Sequence, residues 1–87
     1  MRGAYREPRT NVGKLMRRAR LDRKLTMRVL ADAFDCSLQF VANIEGGVSP
    51  VPPAYYKRLI RVLEIHEGEL LDALTRDLED KFYLALN

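Results

Sequence analysis

Gln39 and Asn43 are the residues of this sequence best equipped to recognise a target by its hydrogen-bond pattern. They stand four apart in DCSLQFVANIEGG, residues 35–47. Each amide sets an acceptor beside two donors, so either can pair with an adenine edge by two bonds, worth about 1–3 kcal/mol of discrimination. The same amides would serve equally as solvated surface residues. Leu38 fits a thymine methyl or an apolar spot on another protein. Ala42 is small enough to let a helix approach a groove wall. Ser37 can cap a helix and also donate to a phosphate. The stretch itself is poor in charge, because no Arg or Lys occurs between Arg28 and Lys57.

Positive charge lies elsewhere. Residues 1–30 hold ten basic side chains against Glu7 and Asp22, a local charge of +8. Residues 31–87 hold five basic side chains against ten acidic ones, a local charge of −5. A polyanion-binding end joined to a non-binding end carries this asymmetry. A solvated basic helix that binds nothing would carry it too. Candidates for phosphate contact are Arg17, Arg18, Arg23 and Arg28, with Ser37.

Other chemistries find little support. His66 and Cys36 are the only histidine and the only cysteine, thirty residues apart, and a metal site needs three or four ligands. No Gly-rich phosphate loop or nucleophile elbow is present, so the expectation is a protein without catalysis, metal or cofactor. His66 is expected at the N-cap region before the last helix, and Cys36 in a small apolar slot. The single cysteine permits no internal disulfide and fits a reducing compartment. Apolar runs are too short for a membrane span, and no apolar stretch follows the basic N-terminus as a secretory signal requires. With 47% hydrophobic and 31% charged residues, the 87-residue chain reads as one globular domain.

The elements that must position these residues are all helical. Val12, Met16 and Ala19 share one face of a first helix, with Leu15 beside it. Thr26 caps a second helix over 27–34, whose buried face is Leu30, Ala31 and Phe34. Asp35-Cys36-Ser37 is a turn, and Ser37 caps a third helix over 38–46 that buries Val41 and Ile44. Phe40 packs beside Ile44 at i, i+4. Gly46-Gly47 ends this helix, and VSPVPP forbids its continuation. Tyr56, Leu59, Ile60 and Leu63 mark a fourth helix, and 69–86 a fifth. In the fifth, Asp72–Arg76 and Asp77–Lys81 are spaced as solvated i, i+4 ion pairs.

At this point the sequence resembles the Cro/C1-type helix-turn-helix family, the xenobiotic-response-element regulators of phages and bacteria. Carrying the resemblance are Val12-Gly13, Met16, Arg20, Leu25-Thr26, Leu30-Ala31, Ser37, Val41, Ile44-Glu45, Gly47, Leu63, Ile65 and Leu70, in order and at the family's spacing. It implies an all-α, five-helix, lambda-repressor-like domain, with helix 2 bracing the DNA backbone and helix 3 in the major groove. It also implies a buried structural ion pair between Arg20 and Glu45, which removes both from the list of DNA contacts. Four positions depart from the family pattern. Met27 replaces a phosphate-clamping Gln, leaving Arg28 or the helix N-terminus to hold a phosphate. Lys24 and Asp35 replace glycines. The loop after Gly47 lacks the Lys and Arg that often touch phosphates.

The expected organisation is a flexible basic arm over 1–11, a helix-turn-helix domain over 12–74 and an extension of helix 5 over 75–87. Arg2, Arg6 and Arg9 would enter a minor groove or hang as a disordered tail. Along helix 5, Leu71, Leu74, Leu78, Phe82 and Ala85 keep an apolar stripe into the extension, past the point where the domain core can cover it. Either the helix folds back over the chain's own helices, or Leu71, Leu74, Leu78 and Phe82 form a twofold dimer interface. The latter would set two recognition helices about 34 Å apart for an inverted-repeat operator in double-stranded DNA. The functional expectation is a cytoplasmic, homodimeric transcription regulator, a repressor. The alternative is an interaction module or antitoxin in which Leu38, Phe40 and helix 5 bind a protein partner such as a toxin.

Overall fold

The computed structural model describes residues 8–87. Arg2 and Arg6 of the expected arm lie outside the described residues. Five α-helices follow in order, α1 (Asn11–Asp22), α2 (Met27–Phe34), α3 (Leu38–Gly46), α4 (Tyr56–Leu63) and α5 (Glu67–Leu86), with a 3-10 turn at Pro53–Tyr55 before α4. The described residues contain no strand, so the fold is all-α.

Hydroxyl caps start the first three helices. Thr10 Oγ1 accepts from Gly13 N at 2.9 Å, Thr26 Oγ1 from Val29 N at 3.1 Å, and Ser37 Oγ from Phe40 N at 3.0 Å. Each satisfies a first-turn amide that has no partner within its helix. The first helix therefore starts at Asn11, one residue before the apolar pattern begins at Val12. The last starts at Glu67, two residues before its expected start at 69. There His66 Nδ1 accepts from Gly68 N at 3.2 Å while Glu69 Oε1 accepts from His66 N at 3.0 Å.

Left-handed residues end three helices: Asp35 (φ 56°) after α2, Gly47 (φ 79°) after α3 and Glu64 (φ 51°) after α4, with Lys24 (φ 58°) in the α1–α2 turn. Of the two glycines expected to close α3, only Gly47 takes this conformation. Gly46 is its buried last helical residue. Side chains at Lys24, Asp35 and Glu64 have a Cβ crowded against the following carbonyl, which glycine avoids.

The core gathers Val12, Leu15, Met16 and Ala19 of α1, Leu30, Ala31 and Phe34 of α2, Val41 and Ile44 of α3, and Leu59 and Leu63 of α4. Leu70 and Ala73 complete it from α5, and Leu74 is half-buried against it. Beyond Leu74 no residue of α5 is buried. Leu71, Leu78 and Phe82 of the expected stripe are exposed, as are Tyr83, Leu84 and Leu86. No helix among the described residues is long and apolar enough to cross a membrane.

Candidate nucleic-acid interface

The position of α3 is set by three contacts before any ligand is considered. The first is the ion pair between α1 and α3. Arg20 Nε donates to Glu45 Oε2 at 2.6 Å and its NH2 to Oε1 at 3.1 Å, both buried. Arg20 NH1 also donates to the Leu25 carbonyl at 2.9 Å. The two-pronged geometry uses the guanidinium fork fully, so neither charge is left over for DNA. The second contact is the close approach at Gly13, where a Cβ would collide with the Glu45 carbonyl oxygen. Glycine lets α1 touch the end of α3 backbone to backbone.

An aromatic group makes the third contact. Phe40 is half-buried, its ring 5.5 Å from that of Tyr55, which in turn lies 6.2 Å from Phe34. Phe40 therefore packs toward the 3-10 turn and core rather than toward a groove or an outside protein. Arg58 stacks its guanidinium 5.6 Å over Tyr55 and donates to the Phe34 carbonyl at 3.0 Å, closing the end of α2. Nothing in the local sequence marked Tyr55 or Arg58 for this work, since both lie far along the chain from α2 and α3.

What α3 presents outward is one leucine beside polar and small side chains. Leu38 is 40% exposed, Gln39 is exposed, and Ala42 and Asn43 are half-buried. Gln39 Nε2 donates to Asn43 Oδ1 at 2.9 Å, joining the two amides across one helical turn. Ser37 is exposed, with its Oγ occupied as the cap of α3.

The arginines divide by location. Arg28 is exposed in the first turn of α2, next to the turn that leads into α3. Arg17 is half-buried. Arg18 is exposed and lines, with Lys14, a surface groove that Glu69, Asp72 and Arg76 of α5 also line. Arg23 donates to the Glu64 carbonyl at 3.1 Å and pairs with the Glu64 carboxylate at 3.6 Å, tying the end of α1 to the end of α4. Arg9 is exposed, and its Cβ lies within 3.0 Å of where a Cβ on Gly47 would stand, beside the end of α3.

On α5, Asp72 and Arg76 form the expected pair at 3.0 Å. Asp77 does not pair with Lys81. Its oxygens accept from Asn11 N at 2.6 Å, Asn11 Nδ2 at 2.9 Å and Val12 N at 3.1 Å. The free amides and positive dipole end of α1 hold the carboxylate better than a solvated lysine can. Cys36 is half-buried in the turn before α3. Burial pushes its thiol pKa up, the neighbouring Asp35 carboxylate adds to the rise, and Arg58 opposes it. No group of three or more His, Cys, Asp or Glu able to hold a metal occurs among the described residues.

The arrangement is a capped helix pair, α2 and α3, joined by a tight turn, whose second helix offers an exposed amide face. A helix-turn-helix domain family model matches the chain over residues 11–74, from the first residue of α1 to the half-buried Leu74 of α5. No curated protein shows significant similarity to the chain. With most of its length matched, the chain belongs to the helix-turn-helix domain family, in the group of Cro-like, xenobiotic-response-element proteins.

Proposed function

We propose that the protein is a sequence-specific, cytoplasmic transcription regulator that binds an inverted-repeat operator as a homodimer and represses by occupying it. The observation that carries this reading is the exposed Gln39–Asn43 face of α3, on a helix locked to α1 by Arg20–Glu45 and to the 3-10 turn by Phe40. Hydrogen-bonding side chains on a rigid helix are what direct readout in the major groove requires. Leu38, beside them, meets a thymine methyl. Arg28 and the first turn of α2 hold one phosphate, Arg17 and Ser37 contact others, and Arg9 leads the arm past the end of α3. Arg18, exposed on α1, adds a further positive charge for phosphates.

Homodimer formation uses the outer face of α5. Leu71, Leu78 and Phe82 recur at i, i+7 and i+11 along one face and are all more than half exposed, an apolar stripe that a second copy would cover. Leu74 borders this face from the core side. A reading in which the chain captures another protein keeps Leu38 and α5 as its surface, because Phe40 packs on Tyr55.

The test is selection of bound duplexes from a random pool, followed by fluorescence anisotropy on the winning sequence over a salt series. The expected product is a palindrome with half-site centres about one helical turn apart, bound with a steep negative salt slope. Recovery of no preferred sequence would sink the reading.

A further inference from the structure

The exit of α3 lies against the residues that lead into α1. A Cβ on Gly47 would stand 3.0 Å from both Arg9 Cβ and Thr10 Cγ2. Thr10 is pinned there twice. Its Oγ1 accepts from Gly13 N at 2.9 Å, and its carbonyl accepts from Lys14 N at 3.0 Å. Arg9 therefore projects from a backbone anchored to the start of α1, and it is exposed. Gly47 follows Asn43 at i+4 and Gln39 at i+8, so all three line one side of α3. Arg9 thus stands at the far edge of the amide face, about 12 Å along the helix from Gln39.

We infer that Arg9 holds a DNA phosphate at the exit of α3, where the α3–α4 loop has no cation to do so. The inference rests on the reading of α3 as the groove-facing helix. The major groove is about 12 Å wide, so a helix whose first turn meets base edges brings its last turn close to a strand of phosphates. The end of α3 is by itself ill-suited to meet them. Its carbonyls form the negative end of the helix dipole. The one ionised side chain of α3, Glu45, is a carboxylate and is paired with Arg20. Residues 48–53 contain no Lys or Arg. A guanidinium beside Gly47 offsets the dipole and offers paired N–H groups to a phosphate. Lys81 of α5 lines the groove that Gly47 and Val48 also line, so it is the competing cation and enters the test.

The test uses the whole chain and the selected operator, with affinities from anisotropy. One phosphate at a time is replaced by an uncharged methylphosphonate, and each duplex is bound by wild type, Arg9→Ala, Arg9→Lys and Lys81→Ala. Circular-dichroism melts follow the fold of each variant. Arg9→Ala is expected to weaken all single-base variants of the operator equally and to lessen the salt slope by about 0.9 per half-site. One methylphosphonate in each half-site should weaken wild type, Arg9→Lys and Lys81→Ala but not Arg9→Ala, whose phosphate has already lost its partner. If every methylphosphonate weakens wild type and Arg9→Ala alike, Arg9 touches no phosphate and the inference is overturned. Insensitivity to that phosphate in Lys81→Ala instead would overturn it too, by assigning the contact to α5. So would loss of an A·T preference beside the half-site in Arg9→Ala, the mark of a minor-groove reader. A lowered Tm with an unchanged salt slope would make Arg9 a counter-charge to α3 alone and count equally against the inference. A wild type that selects no sequence sinks the reading of α3, and this inference with it. A selected operator without an Arg9-dependent phosphate sinks this inference alone.

Discussion

Asp77 of α5 caps α1 across 66 residues of sequence, its Oδ1 accepting from the Asn11 amide at 2.6 Å and its Oδ2 from Val12 at 3.1 Å. Nearly one turn on, Asp80 Oδ2 accepts from Asn11 Nδ2 at 3.1 Å, a second tie between α5 and the start of α1. The cap thus sets the direction in which the exposed apolar end of α5 leaves the core. Replacing a capping carboxylate leaves first-turn amides unpaired, so Asp77→Ala should cost about 1 kcal/mol. For a domain of this size that lowers Tm by roughly 4–8 °C. Lys81→Ala should leave Tm unchanged, and thermal melts followed by circular dichroism compare the two directly.

Arg20 and Glu45 are both buried, 7% and 2% exposed, so removing either strands a charge. Arg20→Ala should cost about 3–5 kcal/mol. Total stability for 87 residues is roughly 4–13 kcal/mol, so this variant is expected to be partly unfolded at 37 °C. Arg20→Met combined with Glu45→Leu removes both charges and should be more stable than either single variant in urea titration.

Backbone sign separates two substitutions that sequence alone treats alike. Lys24 holds φ 58° with an L side chain, so Lys24→Gly should relieve strain and raise Tm by a few degrees, a net gain of about 0.5–1 kcal/mol. Gly47→Ala should do the reverse, since φ is 79° and a Cβ there would stand 3.0 Å from Arg9 Cβ and Thr10 Cγ2. Differential scanning calorimetry of both variants checks the opposite signs.

The Cys36 thiol has its pKa raised, first by burial and then by Asp35. A raised pKa on an acid means that the neutral form is favoured by the fold. The associated stability is present below the unfolded-state pKa and is lost as pH rises through the folded one. Iodoacetamide should therefore modify the native protein more slowly at mildly alkaline pH than it modifies the denatured chain. Asp35→Asn should speed the native reaction, and mass spectrometry of the adduct gives both rates.

Leu78 sits mid-way along the open face of α5, 68% exposed, so Leu78→Glu removes no core contact. Sedimentation equilibrium is expected to show a dimer for wild type and a folded monomer for the variant. Affinity for the full inverted repeat should fall at least a hundredfold, with half-site affinity unchanged. A dimer surviving Leu78→Glu would move the interface off this face.

Helix starts, helix ends and the inward faces were legible in the sequence because they depend on neighbours three or four residues apart. A hydroxyl at Thr26 or Ser37 answers amides in the very next turn, and Leu30, Ala31 and Phe34 share a face by the helical repeat alone. The family pattern carried Arg20–Glu45, which no local rule would pair. Crossing of the helices decided the rest. It brought Asp77 to the start of α1 and away from Lys81, and set Phe40 against Tyr55. It also separated Gly13, which must be small, from Gly46, where a Cβ would meet only Val48 Cγ2 at an ordinary 4.0 Å. Periodicity assigns a side chain to a face of its own helix. Only packing determines which distant backbone amide, ring or carboxylate stands opposite that face.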